Sequence, residues 1–323
     1  MNVSALISTY NRRPYIFRAI DSVLAQTMPV KEIIVVDDGS TDGTSEALNA
    51  RYGSRVTVVR QEHKGVSVAR TRAVDEARSE WVAFLDSDDV WLPTKLERQF
   101  VALAALGSEY GVCFTNCNYF GKPELGSSVF EQIGLKSNSE FGPMCDPVIY
   151  IAKAHLNKQI TPFILPSFVV LRSIINEVGG FDQALGLTED FDLMFRLSFR
   201  TKFCFVSTPL VSIDRTPGLP RLTGLNVERN DESYGWLELA LLKMLAHPEF
   251  QDRELRQVVE DALITLYYGW ARARISAFKL IVAHKIIKKI RRMGQSYRKI
   301  FGILLSSAIK KLCMFIRDKE RSH

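Results

Sequence analysis

A chain of 323 residues, 46% apolar and 24% charged, is long enough to bury a large core and ordinary in composition for a globular protein. Its five cysteines (Cys113, Cys117, Cys145, Cys204 and Cys313) form no CxxC pair and no set with His at zinc-ligand spacing, which argues against a disulfide scaffold or zinc module and for a reducing, cytoplasmic setting. The formal charge of +6 is uneven: Arg272 to His323 holds 15 Lys/Arg against Asp318 and Glu320, a net of +13, which leaves −7 on the first 271 residues.

The first apolar run, Val3 to Ile7, is followed at once by polar Ser8 to Arg13, unlike a signal peptide, and reads as a buried strand. Further runs at Ile33–Val36, Val56–Val59 and Trp81–Leu85 have the same short length. Helical patterns separate them: Pro14 to Ala25, with Pro in the first turn, then Thr44 to Tyr52, Ser67 to Ala77 and Thr94 to Leu106. This alternation implies right-handed crossovers and a Rossmann-like, mostly parallel sheet flanked by helices. Ligands bind such sheets beyond the carboxyl ends of the strands, where Ser8–Asn11, Asp37–Ser40 and Asp86–Asp89 fall. Gly121 to Pro147 reads as a mobile or variable insertion, and regular signals return at Pro166–Leu171, Gly179–Asp182 and a helix over Asp190–Phe199. From about Glu228 the pattern is helical, including Tyr234–Leu245 and Leu255–Ala283. The expected division is a catalytic domain over 1–225, with halves 1–118 and 119–225, then a helical region 226–323 carrying the basic tail 272–323.

Asp86, Asp88 and Asp89 crowd three carboxylates into one turn after an apolar strand. Like charges repel and lose hydration there unless a cation compensates, and a hard divalent ion holding a diphosphate is the natural one; a solvated turn with a helix cap is the simpler alternative. Asp38, with Gly39 permitting a tight turn, can accept from a base or ribose donor, or can merely form an Asx-turn. Tyr10 can stack on a base or be a half-buried aromatic. Arg70 near a helix start is unfavourable for the dipole but sensible if a phosphate arrives there; pairing with carboxylates is the alternative. Thr188 can cap a helix whose first turn holds Glu189, Asp190 and Asp192, with Arg196 four residues beyond Asp192, and one of these carboxylates can serve as a general base.

The ordered set Ser8-Thr9-Tyr10-Asn11-Arg12, Val35 to Asp42, Gly65 to Arg70, Phe84 to Asp89, Gly179 to Asp182 and Glu189-Asp190 resembles inverting glycosyltransferase family 2, of GT-A fold, over roughly residues 1–215. The resemblance implies that Asp38 binds the nucleotide base with Tyr10 and Ser8 lining the pocket, and that Arg70 lies near the diphosphate. It also implies that Asp86 and Asp88 fill the Asp-x-Asp positions, that Asp88 and Asp89 ligate Mn²⁺ or Mg²⁺, and that Asp190 is the catalytic base. Implied partners are a nucleotide sugar, UDP-linked by preference, and a glycan or lipid-linked acceptor in cell-surface polysaccharide synthesis.

In the tail, Ile286, Ile287, Ile290 and Met293 fall on one helical face among cations, and Ile300–Ile316 is similar but more apolar. Neither is long enough to span a membrane, so the expectation is a peripheral helix on the anionic inner face of the cell membrane, with docking on the acidic body as the alternative. No nucleic-acid motif accompanies the charge. Two other readings compete: a haloacid-dehalogenase-like phosphatase with Asp86 as nucleophile, although that fold opens with this strand, and a non-catalytic membrane-binding scaffold. A dinucleotide oxidoreductase is disfavoured, since no GxGxxG follows an early strand.

Overall fold

The computed structural model describes residues 1–121, 128–135, 139–144, 147, 163–216, 231–276 and 280–293. Strands β1 (Val3–Thr9), β2 (Glu32–Asp37), β3 (Thr57–Arg60) and β4 (Trp81–Asp86) form a parallel sheet in the order β3-β2-β1-β4. They alternate with helices α1 (Arg13–Leu24), α2 (Thr44–Tyr52), α3 (Val66–Glu76) and, after β4, α4 (Lys95–Leu106). Continuous apolar runs such as Ala5-Leu6-Ile7 and Ile33 to Val36 are buried, as expected of strands covered on both faces.

The strands extend beyond their apolar runs. Ladder pairing sets Ser8 opposite both Val36 and Asp86, and Thr9 opposite Asp37. The polar residues at the strand ends are thus held by the sheet rather than by loose loops.

Beyond β4 the sheet becomes mixed. Strand β8 (Val169–Leu171) lies antiparallel between β4 and β6 (Tyr110–Phe120), and β9 (Lys202–Asp214) runs parallel to β6. The short β5 (Val90–Trp91) and β7 (Phe141–Met144) pair antiparallel with β9. The Gly/Ser/Pro-rich stretch therefore contributes a strand as well as helix α5 (Val129–Gln132), whose start is a capping box between Ser128 and Glu131. Phe114 packs with Phe130, Phe163, Phe168 and Phe205 to form the core of this half. Two further helices, α6 (Arg172–Glu177) and α7 (Glu189–Leu197), follow β8.

The chain divides into two compact units, residues 1–154 with 158–227, and residues 228–323 with 155–157. In the second, α8 (Asp231–Ala246), α9 (Arg253–Ser276) and α10 (Leu280–Arg292) pack together. Tyr234 stacks on Trp270 at 5.3 Å, Trp270 Nε1 donates to Asp231 at 2.7 Å, and Lys289 pairs with Glu238. The pattern read as one helix over 255–283 is two helices, and Ile300–Ile316 lies outside the described residues. On α10, Ala283, Ile286 and Ile290 are buried while Lys285, Lys288 and Arg292 are exposed. No helix among the described residues is long and apolar enough to cross a membrane.

Candidate nucleotide and diphosphate site

The carboxyl ends of β2, β1 and β4 are neighbours, so the sheet order brings Asp38, Ser8 and the Asp86–Asp89 turn to one edge. The Asp89 N–H closes the turn on Asp86 O at 3.1 Å. The three carboxylates then face different surroundings. Asp86 has a side chain 37% exposed and accepts from Arg70 Nη2 at 2.8 Å. Asp88 lies 3.7 Å from Arg12 Nη2, and its backbone carbonyl accepts from Arg18 Nη2 at 2.8 Å. Asp89 is buried, and its Oδ1 accepts from Asp214 N at 2.9 Å. Burial, with Asp86 and Asp88 nearby, pushes the Asp89 carboxyl well above the usual range.

Arg18 and Asp214, which the sequence reading did not single out, fasten this turn. Arg18 Nη2 also donates to Asp214 Oδ2 at 2.7 Å, tying α1 to the end of β9. Burial opposes ionisation of Asp214, but bonds from Arg18 and Thr216 prevail and lower its pKa. A pair separated by 196 positions leaves no local signal in the sequence.

Asp37 and Asp38 divide the two roles that the sequence left open. Asp37 is structural: its Oδ1 accepts from Ser40 N at 2.9 Å and its Oδ2 from the Ser45 hydroxyl. Asp38, 3% exposed, receives Gln61 Nε2 at 2.7 Å and Lys64 N at 2.9 Å on Oδ1, and Gly65 N at 2.9 Å on Oδ2. His63 Nδ1 lies 2.8 Å from the same Oδ2, and the His63 ring stacks on Tyr10 with centroids 4.0 Å apart. Gln61 and His63 were not anticipated; their only sequence signal is their place just before Gly65.

Arg70 joins the two acidic groups. It is buried and pairs with Asp86 on one side and Glu189 on the other. Burial works against its charge, but Asp86, Glu189 and Asp190 outweigh that and raise its pKa. Glu189 is pushed up to about 7 by burial, against the pull of Arg70. Asp190, half-buried in the first turn of α7, is likewise raised by burial, with Arg70 opposing and Asp86 reinforcing. Thr188 does not cap α7 with its side chain: it sits at φ 69° and its hydroxyl donates to Leu187 O. Arg196 does pair with Asp192, at 2.6 Å.

Among the described residues no group of three Asp, Glu, His or Cys side chains is arranged to hold a divalent ion. Asp88 with half-exposed Asp86 fits the sparser mode in which one or two carboxylates hold an ion completed by substrate phosphates and water. Arg12 Nη1, beside Asp88, is buried without a partner, a donor suited to an anion.

Residues 4–136 match the family model described as Glycosyl transferase family 2. TuaG of Bacillus subtilis, a glycosyltransferase named for teichuronic acid biosynthesis, is 46% identical over 100 residues, 30% of this chain and 40% of TuaG. The Escherichia coli UDP-Glc:alpha-D-GlcNAc-diphosphoundecaprenol beta-1,3-glucosyltransferase WfaP is 40% identical over 98 residues, 30% of this chain and 39% of WfaP. The chain spans less than two thirds of the length of the curated relatives it matches, from 27% to 58%. Residues 1–349 of Staphylococcus aureus TarS, solved in complex with UDP, share the fold with a TM-score of 0.62 at 18% identity, covering 93% of this chain and 92% of that one. Residues 4–136 thus carry the sequence pattern of glycosyl transferase family 2, and the fold is that of GT-A glycosyltransferases.

Proposed function

We propose that the chain transfers a sugar, with inversion, from a UDP-sugar to a hydroxyl of a glycan or lipid-linked acceptor in cell-surface polysaccharide synthesis. The observation that carries this reading is the Arg70 bridge, which places the Asp86–Asp88 turn beside Asp190 at the same sheet edge that holds Asp38. Asp38, Tyr10 and Ser8 receive the base. Arg12, Arg70 and Asp86 surround the diphosphate and ribose. A divalent cation, Mn²⁺ or Mg²⁺, would be held chiefly by Asp88 and would supply charge neutralisation for the departing diphosphate. The engagement of Asp89 by Asp214 N favours Asp88 over Asp89 as ligand and makes Asp89 a buttress of the turn.

Asp190 takes the acceptor hydroxyl proton as that oxygen attacks the anomeric carbon from the face opposite the leaving group. A carboxylate with a raised pKa is suited to that task. Names of relatives support the donor and acceptor classes, since WfaP is named for UDP-Glc and a diphosphoundecaprenol acceptor. The test is release of UDP from UDP-sugars: it should require Mn²⁺ or Mg²⁺ and be lost in Asp88→Asn, while Asp190→Asn should abolish transfer and keep donor binding. Phosphomonoester hydrolysis through a phospho-Asp86 intermediate would overturn the reading.

The tail is proposed to hold the enzyme on the anionic inner face of the cell membrane. With Ala283, Ile286 and Ile290 buried, the contribution of α10 is its exposed cations rather than an inserted apolar face. Binding to phosphatidylglycerol vesicles should fall on deletion of residues 294–323 and weaken with salt. Unchanged vesicle binding refutes this role.

A further inference from the structure

Four groups crowd the Asp38 carboxylate: Gln61 Nε2 and Lys64 N donate to Oδ1, Gly65 N donates to Oδ2, and the His63 ring, whose Nδ1 hydrogen-bonds Asp38 O at 3.0 Å, brings that nitrogen within 2.8 Å of Oδ2. A nucleobase that reaches Oδ2 while stacking on Tyr10 meets the His63 ring and must displace it. The groups around the carboxylate differ in how readily they leave. Lys64 N and Gly65 N are backbone groups at the start of α3. The His63 ring, 54% exposed, can turn into solvent about its side-chain bonds while its backbone stays packed on Gly39, where an added Cβ would meet His63 N at 2.8 Å.

What the ring does while in place decides its role. It is a flat heteroaromatic stacked on Tyr10 at 4.0 Å and 20°. Its Nδ1 faces both Asp38 Oδ2 at 2.8 Å and Asp38 O at 3.0 Å, so it carries the proton and donates. Stacking on Tyr10 and donating a ring N–H to Asp38 are the same two contacts that the proposed function asks of a uracil base.

We propose that His63 is an internal stand-in for the nucleobase, occupying the base subsite in the free protein and exchanging with the incoming uracil one stack for one stack and one N–H for one N–H. This rests on the nucleotide reading above. The device keeps the Asp38 carboxylate satisfied when no donor is bound, and it makes nucleotide affinity depend on the work of displacing one side chain. Bases without a ring N–H, such as cytosine, cannot make the exchange.

The test is calorimetric titration of UDP, with Mn²⁺ present, into the wild type, His63→Ala and His63→Phe. Removing the competitor should tighten UDP binding about tenfold in His63→Ala, equivalent to about 1.4 kcal/mol. His63→Phe, which keeps a ring on Tyr10 without the donor, should fall between. In the wild type the His63 Cε1 proton should leave the Tyr10 ring current when UDP is added and stay when inorganic diphosphate is added. UDP binding that is equal or weaker in His63→Ala overturns the proposal alone and makes His63 a wall of the base pocket. No UDP binding by any of the three proteins overturns the nucleotide reading and the proposal with it.

Discussion

Replacing Arg70 with Met removes the charge between Asp86 and Glu189 while keeping much of the side-chain volume. The two carboxylates respond differently, because Asp86 is 37% exposed and water can take the place of Arg70, whereas Glu189 is 5% exposed and buried beside Asp190. The cost therefore falls on Glu189. Without Arg70 the Glu189 carboxyl, held at about 7 with the guanidinium present, takes up a proton, so the loss falls below the about 3–5 kcal/mol of a charge left ionised, to about 1–2 kcal/mol, and for a unit of this size each kcal/mol lowers the midpoint by about 2–4 °C. Thermal and urea unfolding should show a loss of about 2–8 °C at pH 7.5. Glu189→Gln in the Arg70→Met background removes the cost of that proton uptake and should recover more than half of the loss. A single variant that costs less than about 1 kcal/mol, or a double variant no better than the sum of its parts, refutes the assignment of Glu189 as the buried partner.

The raised pKa of Glu189 gives stability a sign in pH. Between 4.5 and about 7 the folded state binds more protons than the unfolded, so stability falls as pH rises through that window, and Glu189→Gln should flatten part of the decline in urea titrations. Lys95 behaves oppositely. It is fully buried, with Nζ donating to Gln99 at 2.9 Å, and burial lowers its pKa from 10.5 to about 7 against Cys113 and Cys117. Stability should therefore rise with pH across that interval, and Lys95→Met should remove the rise; an unchanged slope refutes it. Asp38→Asn leaves a single acceptor oxygen for Lys64 N and Gly65 N, which now sit on different oxygens, and should cost about 1–3 kcal/mol and speed amide exchange at 64 and 65. Gly39→Ala combines φ +80° with a Cβ 2.8 Å from His63 N, so it should destabilise by about 1–2 kcal/mol. Wild-type stability in Gly39→Ala would show that the segment shifts freely.

The first four strands and their helices were legible because each is a short apolar run between turn residues, buried on both faces, which leaves a local imprint. The carboxylate turn after β4 and Asp38 after β2 were legible for the same reason, since ligands gather at strand ends in such sheets. Strands β6 and β9 were not: Asn116 and Asn118 interrupt one and Thr208-Pro209 the other, and both are made strands by pairing across some 90 residues and by the phenylalanine core. The sequence by itself determined the parallel βα half, the family pattern of residues 4–136 and the carboxylates gathered at the strand ends. Only the tertiary structure decided which partner each carboxylate has: Arg70 for Asp86 and Glu189, Asp214 N for Asp89, and the His63 ring on Asp38 and Tyr10. A charge's partner is set by distance through space, and two of these pairs, Arg70 with Glu189 and Asp89 with Asp214, join residues more than a hundred positions apart, where neither propensity nor periodicity carries information.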